Sequence, residues 1–188
     1  MSILTHTPPE HLLVRGKKCP IRTDFKTWLI FSDIVGNGEE ILQKLPKIIG
    51  TVFFSLPPNL LDAIREVMRF YSCGVESENT STEKANQKKF FDFEYDADLI
   101  YSAFLQQYHI DLCESNMHWW KFKALFNGLS EETQFMKVLQ YRCVDVSTIK
   151  NKEQKAFYIK MKSLHKLPDN RSEEQKEQHI NDVMEHLF

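Results

Sequence analysis

Aromatic side chains are concentrated in one stretch, Phe91–Arg142. It holds two of the three tryptophans, adjacent at Trp119 and Trp120, with four of the six tyrosines and six of the fourteen phenylalanines. Each large aromatic buries about 150–250 Å² when it leaves water. A chain carrying such a block must fold around it, so this stretch is expected to supply much of the core. The chain has 188 residues, enough for one domain with a proper interior.

The spacing within the stretch is helical. Asp96 can cap a helix whose apolar face carries Ala97, Ile100, Tyr101, Phe104 and Tyr108. A turn at His109–Leu112 leads to a second helix over Met117–Asn127, capped by Ser115 or Asn116. Its apolar residues Met117, Trp119, Trp120, Phe122, Leu125 and Phe126 cover more than one face, the mark of a central helix. Ser130, followed by Glu131 and Glu132, starts a third helix with Phe135, Val138, Leu139 and Cys143 in one stripe. Phe91 and Phe93 alternate with acids in a short extended segment. Short connections make this a three-helix unit of antiparallel neighbours.

The flanks follow the same grammar. His11–Val14 and Lys18–Ile21, separated by Gly16, read as a β-hairpin, which cannot stand alone in water. Thr23 caps a helix whose largely apolar run is Phe25, Trp28, Leu29, Phe31, Ser32, Ile34 and Val35, ended by Gly36-Asn37-Gly38. A short helix over Glu39–Leu45 stops before Pro46. Residues 47–55 read as an extended connector or short helix. Pro57-Pro58 suit the first turn of a helix with Leu60, Leu61, Ile64, Val67, Met68 and Tyr71 on one face. Residues 75–89 are almost wholly polar, a linker or exposed loop. Beyond Asp145, a helix over Thr148–Leu167 has a weak stripe. A capping box at Ser172 and Gln175 opens a last helix, about 173–187, with Ile180, Val183, Met184 and Leu187 as its apolar residues. The resulting fold class is mainly α, a helical bundle with a small N-terminal β-hairpin. Residues 1–74 hold the hairpin and first helices, 75–89 the linker, 90–145 the central unit and 146–188 the C-terminal helices, within one globular domain.

Several chemistries find no support. Net charge is −2, with no one-sided basic stripe to bind nucleic acid. No nucleotide-binding, nucleophile-elbow or metalloprotease motif occurs. The four cysteines are scattered without paired spacing, and so read as buried small hydrophobes rather than zinc ligands or a disulfide framework. His118 has no partner at ligand spacing and reads as a core or surface histidine. Asp92, Glu94, Asp96 and Asp98 can be read as a metal or acid–base cluster, but they flank a helix start, where negative charge is favourable in itself. The expectation is no enzyme, no cofactor, no metal and no catalytic residue. No secretion signal and no membrane-spanning run is evident, so neither membrane nor nucleic acid is an expected partner.

Three segments carry a resemblance: VRGKKCPIRTDFKTWL, FDFEYDADLIYSAFLQQYHIDL and MHWWKFKALFNGLSEETQFMKVLQYR, together roughly half of the chain. They resemble a family of small proteins from tailed bacteriophages of Gram-positive hosts. These are encoded in the tail module, between the tail assembly chaperone and the tape measure protein. The resemblance implies a tail assembly role as a chaperone, or as the downstream half of a chaperone pair. The implied partners are the tape measure protein and the tail assembly chaperone, with the tail-tube protein and a homo-oligomer as further candidates. It implies work in the host cytoplasm during assembly; the alternative is a structural subunit of the virion tail. The family transfers no site residues. A long, apolar tape measure helix invites helix-in-groove packing. The candidate partner contacts are therefore Trp119, Trp120, Phe122 and Phe126 on the central helix, and Ile180 and Met184 on the last one.

Overall fold

The computed structural model describes residues 3–36, 41–74 and 90–168. The polar stretch 75–89, residues 37–40 with the expected helix start at Glu39, and the expected last helix with its capping box, Ile180 and Met184, lie outside the described residues. The architecture is mainly α with one two-stranded antiparallel sheet, as the sequence pattern requires.

Strand β1 (His11–Val14) pairs with β2 (Lys17–Pro20) in the register Leu12↔Cys19 and Val14↔Lys17. Arg15 and Gly16 both have positive φ, +50° and +76°, the backbone that a two-residue turn needs to match the twist of its strands. Leu12, Val14 and Cys19 point inward, and β1 lies against helix α3 (Leu60–Tyr71). That packing is what lets so short a hairpin persist.

Helix α1 (Phe25–Gly36) buries Phe25, Trp28, Phe31 and Ile34. Its cap is Asp24 rather than Thr23: the Asp24 carboxylate accepts from the Thr27 amide at 3.0 Å and from the Thr27 hydroxyl at 2.8 Å. Helix α2 (Ile41–Val52) corrects the expected stop at Pro46, because it runs through that residue, and residues 47–52 are helix rather than connector. Pro46 removes the donor to the carbonyl of residue 42, on an exposed side of the helix where Leu42 faces solvent. Inward-facing Ile48, Ile49 and Val52 hold the helix together against α1 and α3.

Helix α3 is capped by Asn59, whose side chain accepts from the Asp62 amide at 2.9 Å; the two prolines precede the helix instead of opening it. Its buried stripe is Ala63, Val67 and Phe70, so Leu60 and Leu61 face outward, contrary to the predicted face. Cys73 and Gly74 turn the chain with positive φ, and Gly74 sits where a Cβ would meet the Trp120 ring at 3.6 Å.

Helices α4 (Ala97–Tyr108), α5 (Trp119–Asn127) and α6 (Gln134–Cys143) are the predicted three, with different starts. Residues 93–96 form a turn rather than an extended segment. His118, not Ser115 or Asn116, caps α5, and Thr133, not Ser130, caps α6. In α6 the buried stripe is Phe135, Val138 and Arg142, while Cys143 is exposed. Of the four free cysteines only Cys19 is buried, which corrects the reading of all four as core hydrophobes. Helix α7 (Lys152–Leu164) is shorter than predicted, begins at the Asn151 cap and buries no residue.

One apolar core joins the hairpin, α1 to α6 and their connections. Phe122 lies at its centre. Its ring stacks on Phe25 at 4.8 Å, Phe104 at 5.2 Å and Trp119 at 5.8 Å. Such pairs add about 0.5–1.5 kcal/mol each beyond area burial.

Candidate interaction surface

Helix α5 carried four of the predicted contact residues, and the structure turns all four inward. Trp119 and Phe122 are wholly buried; Trp120 and Phe126 retain 8% exposure each. Their polar atoms are also committed. Trp119 Nε1–H donates to the Tyr71 carbonyl at 3.0 Å, and Trp120 Nε1–H to the Phe70 carbonyl at 2.9 Å. Both carbonyls belong to the last turn of α3, where helical acceptors lack intrahelical donors. The tryptophan pair therefore closes α3 and locks it to α5. Among the described residues this helix presents no apolar face to a partner.

Two further devices fix α5. The Phe25 amide donates to the Met117 carbonyl at 2.9 Å and the Trp119 amide to the Thr23 carbonyl at 2.7 Å, a β-type bridge that ties the starts of α1 and α5 together. His118 then caps the helix: Nδ1 accepts from the Trp120 amide at 3.0 Å, and Nε2 lies 3.2 Å from the Pro9 carbonyl. These partners place the single proton on Nε2, and burial lowers the imidazole's pKa, which favours that neutral form.

The acidic cluster resolves into a structural pair. Asp96 accepts two hydrogen bonds from the Arg142 guanidinium, at 2.7 and 2.8 Å, with both side chains buried. Asp96 also accepts from the Asp92 amide at 3.0 Å. Arg142 donates further to the carbonyls of Phe90 at 3.1 Å and His165 at 2.6 Å. One guanidinium thus joins the entry to α4, the end of α6 and the end of α7. Sequence reasoning found Asp96 but missed Arg142; an arginine on the buried stripe of α6 was the available signal. Among the described residues no three His, Cys, Asp or Glu side chains gather as metal ligands do, and no helix is long and apolar enough to cross a membrane.

Exposed apolar side chains occur elsewhere. The connection from α2 to α3 carries Phe54 at 64% and Leu56 at 76% exposure, and the first turn of α3 adds Leu61 at 64%. Arg22 builds its base: Nη1 donates to the carbonyls of Gly50, Thr51 and Phe53 at 2.9–3.1 Å. That closes α2 and directs Phe54 outward, where the Arg22 guanidinium stacks over its ring at 4.7 Å. At the far end of the connection Asp62 binds Arg15 at 2.8 Å and Arg65 at 2.6 Å, and these guanidiniums keep its carboxyl below the usual carboxylate range. The result is an apolar ridge of Phe54, Leu56 and Leu61 beside buried Pro57, with Arg22 at one end and Asp62, bound by Arg15 and Arg65, at the other. The sequence reading passed over it, because an apolar run reads the same exposed or buried until the rest of the fold is known. A shallower apolar cleft of about 420 Å³ lies between α1 and α4, walled by Phe25, Leu29, Ile100 and Phe122, with Lys26 at its rim.

Helix α7 shows a second apolar exposure at Phe157, Ile159 and Leu164. Polar contacts fasten it: His165 through Arg142, and Lys162 Nζ–H to the Val144 carbonyl at 2.6 Å. Tyr141 adds ring contacts to Phe157, Tyr158 and His165.

A family model described as Bacteriophage Gp15 protein matches residues 9–167. The match begins at Pro9, the partner of His118, and reaches past α7. No curated protein and no solved structure matches the chain.

Proposed function

The chain belongs to the Bacteriophage Gp15 protein family, and from that premise we propose that it is a non-enzymatic tail assembly protein that binds the tape measure protein during tail morphogenesis. The observation that carries this reading is the solvent-facing ridge at Phe54, Leu56 and Leu61. Contiguous exposed apolar groups on a well-packed domain mark a contact for another macromolecule. A long amphipathic helix is the partner whose apolar stripe such a ridge fits. The family match and the tail-module resemblance support the phage context; the ridge takes over the contact role first assigned to Trp119, Trp120, Phe122 and Phe126. The tail assembly chaperone is the expected second partner, acting on the same client.

Co-expression of the chain with the tape measure protein of its own phage tests this. The expected result is a soluble complex captured on either partner, and virions that lack the chain by mass spectrometry. A tape measure protein that stays insoluble and uncaptured would sink the proposal. Stoichiometric chain in purified virions would support a structural subunit instead.

A further inference from the structure

The two edges of the hairpin differ. The Ile21 amide donates to the Glu10 carbonyl at 3.2 Å, and the register pairs Leu12 with Cys19 and Val14 with Lys17. In an antiparallel ladder these alternate pairs exchange the hydrogen bonds. The N–H and C=O groups of His11 and Leu13 therefore point away from β2, and among the described residues they meet no backbone partner. The outer edge of β2 is closed at one end, where the Arg22 amide donates to the Val52 carbonyl at 2.8 Å and Ile21 bridges Phe53. Along the rest of it stand Lys17, Lys18 and Pro20, residue types that keep a strand edge from pairing. Strand β1, His-Leu-Leu-Val, carries no lysine, no proline and no bulge. Its Leu13 is 55% exposed.

We propose that β1 pairs antiparallel with β1 of a second copy of this chain, joining two hairpins into one sheet. The edge is complementary to itself. About a two-fold axis at Leu12, His11 of each copy faces Leu13 of the other, and each such pair exchanges both N–H···O bonds. No lysine, arginine or carboxylate lies within β1 to oppose its like, whereas pairing through β2 would set lysine near lysine. Net charge is only −2, so two copies approach without strong repulsion. Exposed Leu13 gains a cover in the imidazole of the second copy. One short strand buries less than a standard interface, so the pair belongs to the weak class. The ridge starts beside the other edge, where Phe53 meets Ile21, and pairing through β1 leaves Phe54 uncovered. A dimer thus offers two ridges to one long client, which raises avidity; that consequence rests on the ridge as the tape measure contact, and the pairing does not.

Sedimentation velocity and amide hydrogen exchange on the full chain test this without any tape measure protein. Between about 5 µM and about 500 µM, a range suited to weak association, the mean mass should rise toward that of two chains. At the top of that range the amides of His11 and Leu13 should exchange at least about threefold more slowly, while those of Leu12 and Val14, already bonded to β2, should not change. Leu13→Lys puts a charge on the exposed edge and should stay a single chain throughout. Leu56→Ser/Leu61→Ser should associate as the natural chain does. One mass at every concentration, or exchange at His11 and Leu13 that ignores concentration, would overturn the pairing. Association that survives Leu13→Lys, or that is lost with Leu56→Ser/Leu61→Ser, would move the contact to another surface and overturn it as well. A tape measure protein that does not bind the chain would end the tail assembly reading and leave the pairing standing.

Discussion

Two apolar stretches of this chain look alike on paper and do opposite things. Met117–Phe126 and Phe53–Leu61 are both rich in large apolar residues, mostly aromatic in the first and mostly leucine in the second. The first is buried along its aromatic side: its tryptophan N–H groups close α3, and Phe122 meets five rings. The second rests on the Arg22 cap of α2 and the Asn59 cap of α3; Phe53 and Pro57 are buried, and Phe54, Leu56, Leu60 and Leu61 are exposed. What separates them is the supply of neighbours. Helix α5 sits between α1 and the end of α3, whereas the ridge lies on the connection from α2 and the first turn of α3, where no further element of the described residues covers Phe54, Leu56 and Leu61. Apolar content alone does not tell a core from a contact.

The contrast can be broken in several ways. Phe122→Ala removes the central ring and leaves a cavity, so it should cost about 3–5 kcal/mol in urea-denaturation stability. A cost near zero would mean that α5 is not the core. Arg142→Leu strands the buried Asp96 carboxylate and should cost about 3 kcal/mol, whereas Asp96→Leu together with Arg142→Leu should recover most of that loss. Equal losses in the single and double variants would show that the pair is not what joins α4, α6 and α7. Asn59→Ala removes the cap beneath the ridge and should cost about 1 kcal/mol.

The next two effects are smaller. His118 has a lowered pKa in the folded protein, so the unfolded chain takes up its proton first as pH falls. Its stabilising contribution is complete above the unfolded imidazole value, near about 6.5, and is lost as pH drops through the lower folded value. His118→Gln should flatten that acid limb of the stability curve; an unchanged slope would remove His118 as its source. Leu56→Ser and Leu61→Ser, in contrast, should change stability by no more than about 0.5 kcal/mol, which separates the ridge from the core by energetics alone.

Much of the fold was legible in the residues. Periodicity placed α1, α3, α4 and α6 and marked α5 as central, because helical spacing of large apolar groups has few other uses. The hairpin followed from Gly16 between two short β-prone runs. What escaped depended on contacts distant in sequence. His118 caps α5 in place of Ser115 or Asn116 because Pro9 orients its ring. Pro46 sits inside α2 because tertiary packing of Ile48, Ile49 and Val52 outweighs its local preference. Arg142 is buried because Asp96, far away in sequence, receives it. The site was less legible than the fold: the aromatics that marked the central helix are core, and the exposed ridge carries no motif.

The most direct test of the account sets the ridge against helix α7, which also exposes apolar side chains. Affinity for the cognate tape measure protein would be measured by calorimetry for Leu56→Glu/Leu61→Glu and for Phe157→Glu/Leu164→Glu, with folding checked by circular dichroism. The account predicts at least a tenfold loss, about 1.4 kcal/mol, for the ridge variant and unchanged binding for the α7 variant. Full affinity in the ridge variant, with binding lost in the α7 variant, would contradict it.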